Sequence, residues 1–194
     1  MKKIVLASGN IGKLNEFRAM LNNFEVLSPK QLNVEFDVDE TGETFYENAL
    51  IKARALYELC KLPTIADDSG LCVAALNGAP GVYSARYSGG TDKDNNAKLL
   101  RELHGQKDRS AYFESCIVYF DGEKTIAATG RTYGQIAQAE SGAGGFGYDP
   151  LFISDDLGKT FGEASEAEKN AVSHRSRALA ELVAKLNSEN NHIS

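Results

Sequence analysis

Two features that would point to particular classes of protein are missing from this sequence. It contains only three cysteines, Cys60, Cys72 and Cys116, with no CxxC pair, so neither a zinc knuckle nor a disulfide framework is indicated. We expect them to be small buried hydrophobes in a reducing compartment. Only the short apolar run at residues 4–7 follows Met1-Lys2-Lys3, too short for a signal-peptide core or a transmembrane helix. We therefore expect a cytoplasmic protein with no membrane partner.

An excess of positive charge is also missing. The chain has 21 Lys and Arg against 27 Asp and Glu, a net charge of −6. Because nucleic-acid binding needs a basic face, we expect no nucleic-acid partner, although a few local cations could hold a small anion. The length of 194 residues, without internal repeats or low-complexity tracts, predicts one domain spanning residues 1–194 with a sizeable core.

A pair of adjacent acids, Asp67 and Asp68, is the most informative local feature. Ile65-Ala66 is typical of the end of a buried strand, and Ser69-Gly70 of a turn. Ligands gather at strand ends in open α/β sheets, and adjacent strand residues point to opposite sides. We expect Asp68, nearer the turn, to face a site where it binds Mg²⁺ or accepts a proton from water. The alternative is a polar turn with Asp side chains capping backbone amides.

The first loop is a candidate phosphate site. A short apolar strand at residues 3–7 precedes it, and a helical pattern begins at Leu14. Free backbone N–H groups at a helix N-terminus suit a phosphate, and Lys13 adds a cation. The loop is neither a Walker A motif nor GxGxxG, so a plain strand-to-helix turn is the alternative. The loop residues are Ser8, Gly9, Asn10, Ile11, Gly12 and Lys13.

Acidic residues crowd the connection at residues 31–42 and precede a long helix. Such crowding is typical of a solvated loop, or one acid could meet Asp68 across a metal ion. A helix over residues 43–61, capped by Thr41 or Thr44, presents Asn48 and Lys52 one turn apart, close to its apolar face. Helix and following strand complete a second β-α-β pass, which predicts a parallel, right-handed α/β arrangement.

The second half of the chain adds an antiparallel part and two further candidate regions. Asp121-Gly122 predicts a hairpin. In the glycine-rich stretch at residues 142–150, Phe146 and Tyr148 offer flat faces for a base, and Asp149 offers an acceptor. A flexible loop is the alternative.

Basic residues near the start of the last helix, and one earlier arginine, are the remaining candidates. A capping box at Ser165 predicts a helix over about residues 165–186. Lys169, His174 and Arg175 near its start could grip an oxo-purine edge or a phosphate, or form a solvated basic face. Arg86 could contact a phosphate or a partner, or form a surface ion pair.

Taken in order, these stretches resemble the inosine-triphosphate pyrophosphatase (HAM1-like, non-canonical purine NTP pyrophosphatase) family nearly end to end. The stretches are Ser8-Gly9-Asn10-Ile11-Gly12-Lys13, Glu40-Thr41-Gly42-Glu43-Thr44-Phe45 with Glu47-Asn48-Ala49, Ala66-Asp67-Asp68-Ser69-Gly70-Leu71, Pro80-Gly81-Val82-Tyr83-Ser84-Ala85-Arg86-Tyr87-Ser88-Gly89, Gly144-Gly145-Phe146-Gly147-Tyr148-Asp149-Pro150 and Ser173-His174-Arg175.

The resemblance implies a homodimeric Mg²⁺ enzyme that cleaves ITP, dITP or XTP to the monophosphate and pyrophosphate, removing deaminated purines from the nucleotide pool. It implies an α/β fold with a mixed, twisted central sheet, flanking helices and two lobes with a nucleotide cleft between them. Asp68 is implied as the catalytic proton acceptor, and Glu40, Asp68 and Asp39 as metal ligands. The implied substrate-binding residues are the loop residues 8–13, Lys52, Ser69, Arg86, Phe146, Gly147, Tyr148, Asp149, Lys169, His174 and Arg175.

Other readings of the sequence remain as hypotheses. A Maf-like pyrophosphatase acting on other nucleotides would share the general architecture. A nucleotide-binding sensor would bind without hydrolysis, but binding an anionic phosphate does not call for the acids Glu40 and Asp68. A dinucleotide dehydrogenase is disfavoured because the glycine fingerprint is missing.

Overall fold

The computed structural model describes residues 1–190 of the chain. Strands and helices alternate at first, and a run of strands then precedes the last two helices. The strands are β1 (Lys2–Leu6), β2 (Phe24–Leu27), β3 (Thr64–Val73), β4 (Ser110–Phe120), β5 (Thr125–Ile136) and β6 (Phe152–Ser154). The α-helices are α1 (Ile11–Met20), α2 (Phe45–Cys60), α3 (Asp92–Glu102), α4 (Glu166–Val172) and α5 (His174–Asn190). Within residues 1–190, no helix combines the length and the apolar character needed to cross a membrane.

The strands form one mixed sheet in the order β2-β1-β3-β4-β5-β6. Strand β1 pairs in parallel with β2 and with β3, as expected of strands joined through helices. Strand β6 pairs antiparallel with β5, with Gln135 opposite Ile153. The predicted α/β class with a mixed sheet and flanking helices is therefore confirmed.

The described chain divides into two compact units, each with its own apolar core. The first unit contains residues 1–68, 115–130 and 177–190, and the second contains residues 69–114 and 131–176. Fully buried side chains in the first core include Leu6, Phe17, Ile65, Ile117 and Leu182. Those in the second core include Leu71, Val73, Leu99, Phe152 and Phe161. The description of residues 1–194 as one domain stays a prediction.

Side-chain caps fix where several helices begin. The side chains of Thr44, Thr91 and Ser165 accept hydrogen bonds from backbone N–H groups three residues on, as Ser and Thr commonly do at N-caps. Asn10 does the same for α1 by accepting from the Lys13 N–H. Of the two candidates Thr41 and Thr44, Thr44 is the cap, and the cap predicted at Ser165 is confirmed.

Two predicted boundaries differ from the structure. Ser69-Gly70 does not turn the chain, because β3 continues to Val73 between β1 and β4, and pairing outweighs the local turn preference. The helix predicted over residues 165–186 is broken at Ser173, which is extended (φ −68°, ψ 154°). The Ser173 hydroxyl accepts from the Ser176 N–H at 3.1 Å, so this serine ends α4 and supports the first turn of α5.

Candidate active site

The predicted phosphate loop connects β1 to α1 in the first unit. Ser8 Oγ accepts from the Asn10 N–H at 3.1 Å, and Asn10 Oδ1 accepts from the Lys13 N–H at 3.1 Å. Gly9, Asn10 and Ile11 are exposed, and a Cβ placed on Gly9 would meet nothing within 4 Å. The loop is thus held by its own side chains while its outer surface at the helix N-terminus stays open.

A cavity of about 500 Å³ opens beside this loop. Ser8 and Gly9 line it together with Arg18, Lys30 and Phe36. No local pattern indicates that Arg18 and the stretch at residues 28–36 border the loop, because that proximity depends on how the chain returns after α1. The loop therefore faces space that can accommodate a chain of phosphates.

Asp67 lies on one side of β3 and is fully buried. Its Oδ2 lies 2.9 Å from Lys13 Nζ, and its Oδ1 accepts from Ser115 Oγ at 2.5 Å. This acid therefore fixes the position of the lysine that the sequence placed at the phosphate loop. It serves as an internal partner, as expected if only one of the two adjacent acids faces the site.

Asp68 and Glu40 approach the same cation, Lys52 on α2. Lys52 Nζ lies 3.1 Å from Glu40 Oε2 and 3.5 Å from Asp68 Oδ1, and it donates to the backbone carbonyl of Asp67 at 2.9 Å. Folding thus brings together two acids that are distant in sequence. Both acids approach the same place, so a divalent cation at that place would meet a carboxylate oxygen from each.

Burial is the main reason that the pKa of Asp68 is raised to about 6. The neighbouring charges of Glu40 and Asp67 raise it further, whereas Lys52 and the Asn48 amide lower it. Asp68 Oδ2 is buried and accepts no hydrogen bond of normal geometry. A carboxyl that titrates near neutrality, with one oxygen unused, can bind a cation or accept a proton.

Asn48 is a member of this site that sequence reasoning left outside the assigned residues. Its Oδ1 accepts from the Gly42 N–H at 2.7 Å, which holds the turn that follows Glu40. Its Nδ2 is buried and donates no hydrogen bond of normal length and angle, although the amide lies close enough to Asp68 to lower the pKa of that carboxyl. The spacing of one helical turn to Lys52 was the signal that could have identified it.

The side chains at this site suit Mg²⁺, because they offer carboxylate oxygens. Glu40 Oε2 and Asp68 Oδ1 are carboxylate oxygens that already converge on one cation, Lys52 Nζ. Within residues 1–190 there is no cluster of three or more potential metal ligands. Mg²⁺ commonly takes one or two carboxylates and completes its shell with phosphates and water, so two acids suffice.

The structure does not bring Asp39 to the other two acids through a described side-chain contact. Exposed and half-buried residues alternate along residues 35–40, with Asp39 exposed and Glu40 half-buried. An extended backbone places successive side chains on opposite sides, which separates Asp39 from Glu40. Asp39 as a metal ligand stays a prediction.

The predicted base-binding residues lie in the second unit. Asp149 Oδ2 accepts from the Phe146 N–H at 2.9 Å and lies 2.7 Å from Lys169 Nζ, with both charged side chains almost fully buried. The same ammonium lies 4.5 Å from the centre of the Phe146 ring. Asp149, Lys169 and Phe146 therefore form one ordered group rather than a flexible loop.

Arg175 and His174 begin α5 and lie against aromatic rings. Arg175 Cζ lies 5.8 Å from the centre of the Phe146 ring, and its Nη2 donates to Ser69 Oγ at 3.0 Å. The His174 ring stacks on Phe113 at 4.8 Å with an interplanar angle of 15°. These basic side chains are buried, which argues against the solvated basic face.

Tyr148, Gly147 and Arg86 have contacts of their own in the second unit, and their roles in substrate binding stay predictions. The Tyr148 ring is 5% exposed within the second core, and its hydroxyl donates to the Ser84 carbonyl, so its face is not open to a base. The Gly147 N–H donates to Asp92 Oδ2 at 3.0 Å, anchoring the glycine-rich loop to α3. Arg86 is exposed and lies over the exposed Tyr83 ring at 5.1 Å.

Three features suit a protein that binds phosphorylated nucleosides. They are a helix N-terminus with a lysine beside it, two acids that approach one ammonium, and buried cations against an aromatic ring. The Ham1 family model matches residues 4–185 of the chain. The chain belongs to the Ham1 family.

Relatives and solved structures agree with this assignment. The dITP/XTP pyrophosphatase of Treponema denticola is 50% identical over 183 residues, which cover 91% of this chain and 94% of the relative. The dITP/XTP pyrophosphatase of Haemophilus influenzae is also 50% identical, covering 95% and 99% of the two chains. The solved structure of the Staphylococcus aureus Ham1 protein is 43% identical and covers 97% of this chain and 100% of its own, with a TM-score of 0.88.

Proposed function

We propose that this protein is a nucleoside-triphosphate pyrophosphatase that hydrolyses the non-canonical purine nucleotides ITP, dITP and XTP to monophosphate and pyrophosphate. Curated relatives about half identical in sequence, which are dITP/XTP pyrophosphatases, support the substrate class. The observation that carries the chemistry is the meeting of Glu40 and Asp68 at Lys52 Nζ. A protein that only bound a triphosphate would not need a carboxylate placed to take a proton from water.

Neutralising the triphosphate is the first requirement of the reaction. The exposed loop at residues 8–13 offers backbone N–H groups and Lys13, whose position is fixed by Asp67, and Lys52 adds a second cation. Glu40 and Asp68 would hold Mg²⁺, which when bound supplies positive charge to the phosphates and to the departing pyrophosphate. The chain's own cations orient the triphosphate with its α-phosphorus towards Asp68.

Hydrolysis then needs a group that takes a proton from water. Asp68 is the proton acceptor. The water oxygen bonds to the α-phosphorus while a proton of the water passes to the Asp68 carboxylate. The bond between the α-phosphorus and the oxygen that bridges to the β-phosphorus then breaks. The electron pair of that bond leaves with pyrophosphate. Burial raises the pKa of Asp68 to about 6 in the metal-free protein, which makes its carboxylate a stronger base than an exposed aspartate.

Selection of the base falls to the second unit. Lys169 and Arg175 are buried donors beside the Phe146 ring, which suits a purine stacked on that ring with its 6-oxo group facing N–H donors. The 6-amino group of adenine would leave such donors unpaired, at a cost of roughly 1–3 kcal/mol per group. Ser69, which accepts from Arg175, and His174, stacked on Phe113, complete this set.

Three further assignments belong to the same proposal. The protein acts as a homodimer, needs no nucleic-acid partner, and works in the cytoplasm, where the nucleotide pool is found. The free state of Cys60, Cys72 and Cys116 is compatible with a reducing compartment.

A nucleotide panel with Mg²⁺ tests the proposal. We expect release of pyrophosphate, and no orthophosphate, from ITP, dITP and XTP, with ATP and GTP turned over far more slowly. Preference for dTTP or UTP would favour a Maf-like pyrophosphatase instead. Binding of ITP without hydrolysis would indicate a sensor and would refute the enzyme.

A further inference from the structure

Two buried polar atoms with no hydrogen-bond partner belong to neighbouring side chains of the acidic site. Asn48 Nδ2 is a donor and Asp68 Oδ2 is an acceptor, and neither is used within the protein. Asn48 is fully buried, and Asp68 is 7% exposed. The Asn48 amide lowers the pKa of the Asp68 carboxyl, so the two side chains adjoin, but no hydrogen bond of normal length and angle joins Nδ2 to Oδ2.

The opposite atoms of both side chains are already used, which fixes their orientation. Asn48 Oδ1 accepts from the Gly42 N–H at 2.7 Å, so the amide must direct Nδ2 elsewhere. A Cβ on Gly42 would lie 2.7 Å from Asn48 Oδ1, so the asparagine packs tightly against this glycine. Asp68 Oδ1 lies 3.5 Å from Lys52 Nζ, which leaves Oδ2 as the oxygen that no other group uses.

Leaving these atoms unpaired is costly. A buried donor or acceptor without a partner costs about 1–3 kcal/mol, so a site that retains one of each is expected to meet a ligand that satisfies both. One water molecule can accept from the amide N–H and donate to the carboxylate oxygen.

We propose that Asn48 Nδ2 and Asp68 Oδ2 together hold the water that attacks the α-phosphorus, so that Asn48 is a catalytic residue. This inference rests on the proposed hydrolysis and adds a second residue to it. Asn48 donates to one lone pair of the water, and the water donates one proton towards Asp68 Oδ2. The remaining lone pair forms the bond to the α-phosphorus while that proton passes to Oδ2 and the electron pair of the broken bond leaves with pyrophosphate.

The two oxygens of Asp68 then have separate tasks. Oδ1, beside Lys52 and Glu40, lies on the side where cations collect, and Oδ2, beside Asn48, takes the proton. The competition between binding a cation and acting as a base is eased because different oxygens do the two jobs.

Substitutions at Asn48 can separate the role of its Oδ1 acceptor from that of its Nδ2 donor. Asn48→Asp keeps an oxygen for the Gly42 N–H but loses the N–H donor, whereas Asn48→Leu loses both. We expect both variants to lower kcat for ITP by about 10- to 100-fold, as misplacing a reactant does. The contacts to the triphosphate are unchanged in Asn48→Asp. Its KM for ITP should therefore stay within about threefold of wild type. The same should hold for its Kd for α,β-methylene-ITP, measured by calorimetry with Mg²⁺.

Asn95→Asp is the matched control. Asn95 is also a buried helical asparagine whose Oδ1 accepts from the Ser88 N–H, but it belongs to the second unit, whereas Glu40 and Asp68 belong to the first. We expect this variant to lower Tm without changing kcat. If Asn48→Asp does not fold, Asn48→Ser provides the same test, because its short side chain cannot reach the water.

The outcomes are distinct. A kcat within threefold of wild type for Asn48→Asp, or for Asn48→Ser, would overturn the role of Asn48 while leaving the pyrophosphatase intact. Loss of analogue binding along with kcat would also overturn it, because Asn48 would then act in substrate binding. A wild-type protein that releases no pyrophosphate from ITP would instead refute the underlying function.

Discussion

Lys13 Nζ and Asp67 Oδ2 form an ion pair of 2.9 Å in which the Asp67 side chain is fully buried and that of Lys13 is 17% exposed. The pair joins the phosphate loop to the central strand β3. Asp67 is therefore a positioning residue for Lys13, while its neighbour in sequence, Asp68, faces the other side of the strand.

Asp67→Asn should damage both stability and substrate binding. Breaking a buried ion pair by removing one partner costs about 3–5 kcal/mol, and the upper part of this range is reduced here because Lys13 reaches solvent. We expect urea unfolding to show a loss of about 3 kcal/mol and steady-state kinetics to show a higher KM for ITP. Ser115→Ala, which removes only the hydroxyl donor to Asp67, should cost about 1 kcal/mol and leave KM unchanged. An Asp67→Asn protein with wild-type stability would contradict the buried pair.

Asp68→Asn should stabilise the Mg²⁺-free protein at neutral pH while removing most of its activity. The folded pKa of Asp68, about 6, lies above the ordinary value of 3.8, so its contribution to stability is complete below about pH 4 and is lost as pH rises through 6. A pKa shift of this size lowers the free energy of unfolding by at most about 3 kcal/mol once Asp68 is ionised. Asparagine does not ionise, so the variant keeps that free energy at neutral pH.

Urea unfolding in EDTA at pH 4 and pH 7.5 measures this effect as the difference between wild type and variant. The difference should favour Asp68→Asn increasingly towards high pH, and kcat for ITP should fall at least about 100-fold. A stability difference that does not change with pH would mean that the pKa of Asp68 is not raised.

The adjacent acids after an apolar run drew attention to Asp68 in the sequence, whereas the resemblance to the family, and no local pattern, picked Glu40 from the acids of residues 31–42. Glu40 and Asp68 indeed approach one cation. Asn48 could not be assigned in the same way. An asparagine on a helix has many uses, and its unused Nδ2 becomes visible only when the Gly42 N–H is seen to take its oxygen.

In the second unit, packing between residues distant in the sequence determines features that no local pattern shows. Tyr148 looked like a platform for a base, but the second core takes its ring. The break at Ser173 was missed because the apolar pattern continues across it, while the extended backbone there sets His174 and Arg175 at a helix start. The Lys169–Asp149 pair joins residues twenty apart in sequence, and no local pattern marks it.

Glu40→Gln should raise the Mg²⁺ concentration needed for half-maximal activity by roughly tenfold or more, because the charge of the ligands sets the affinity for a hard cation. Asp39→Asn removes the adjacent acid by the same chemistry and is the matched control. Because Asp39 is exposed, we expect its variant to keep the wild-type Mg²⁺ dependence. Titration of Mg²⁺ at fixed ITP decides between the two acids, and a shift in Asp39→Asn alone would move the metal site to that residue.

A double-mutant cycle on Asp149 and Lys169 should separate stability from base recognition. Either single change, Asp149→Asn or Lys169→Met, disrupts a 2.7 Å ion pair whose side chains are only 4% and 7% exposed, so each should lower the free energy of unfolding by about 3 kcal/mol. The double variant has no uncompensated buried charge and should recover part of this loss, giving a coupling energy of about 1–3 kcal/mol. Activity should not recover with it, because Lys169 also lies over the Phe146 ring where the base is expected to stack. Recovery of both stability and kcat/KM for ITP in the double variant would show that Lys169 serves only as a partner for Asp149.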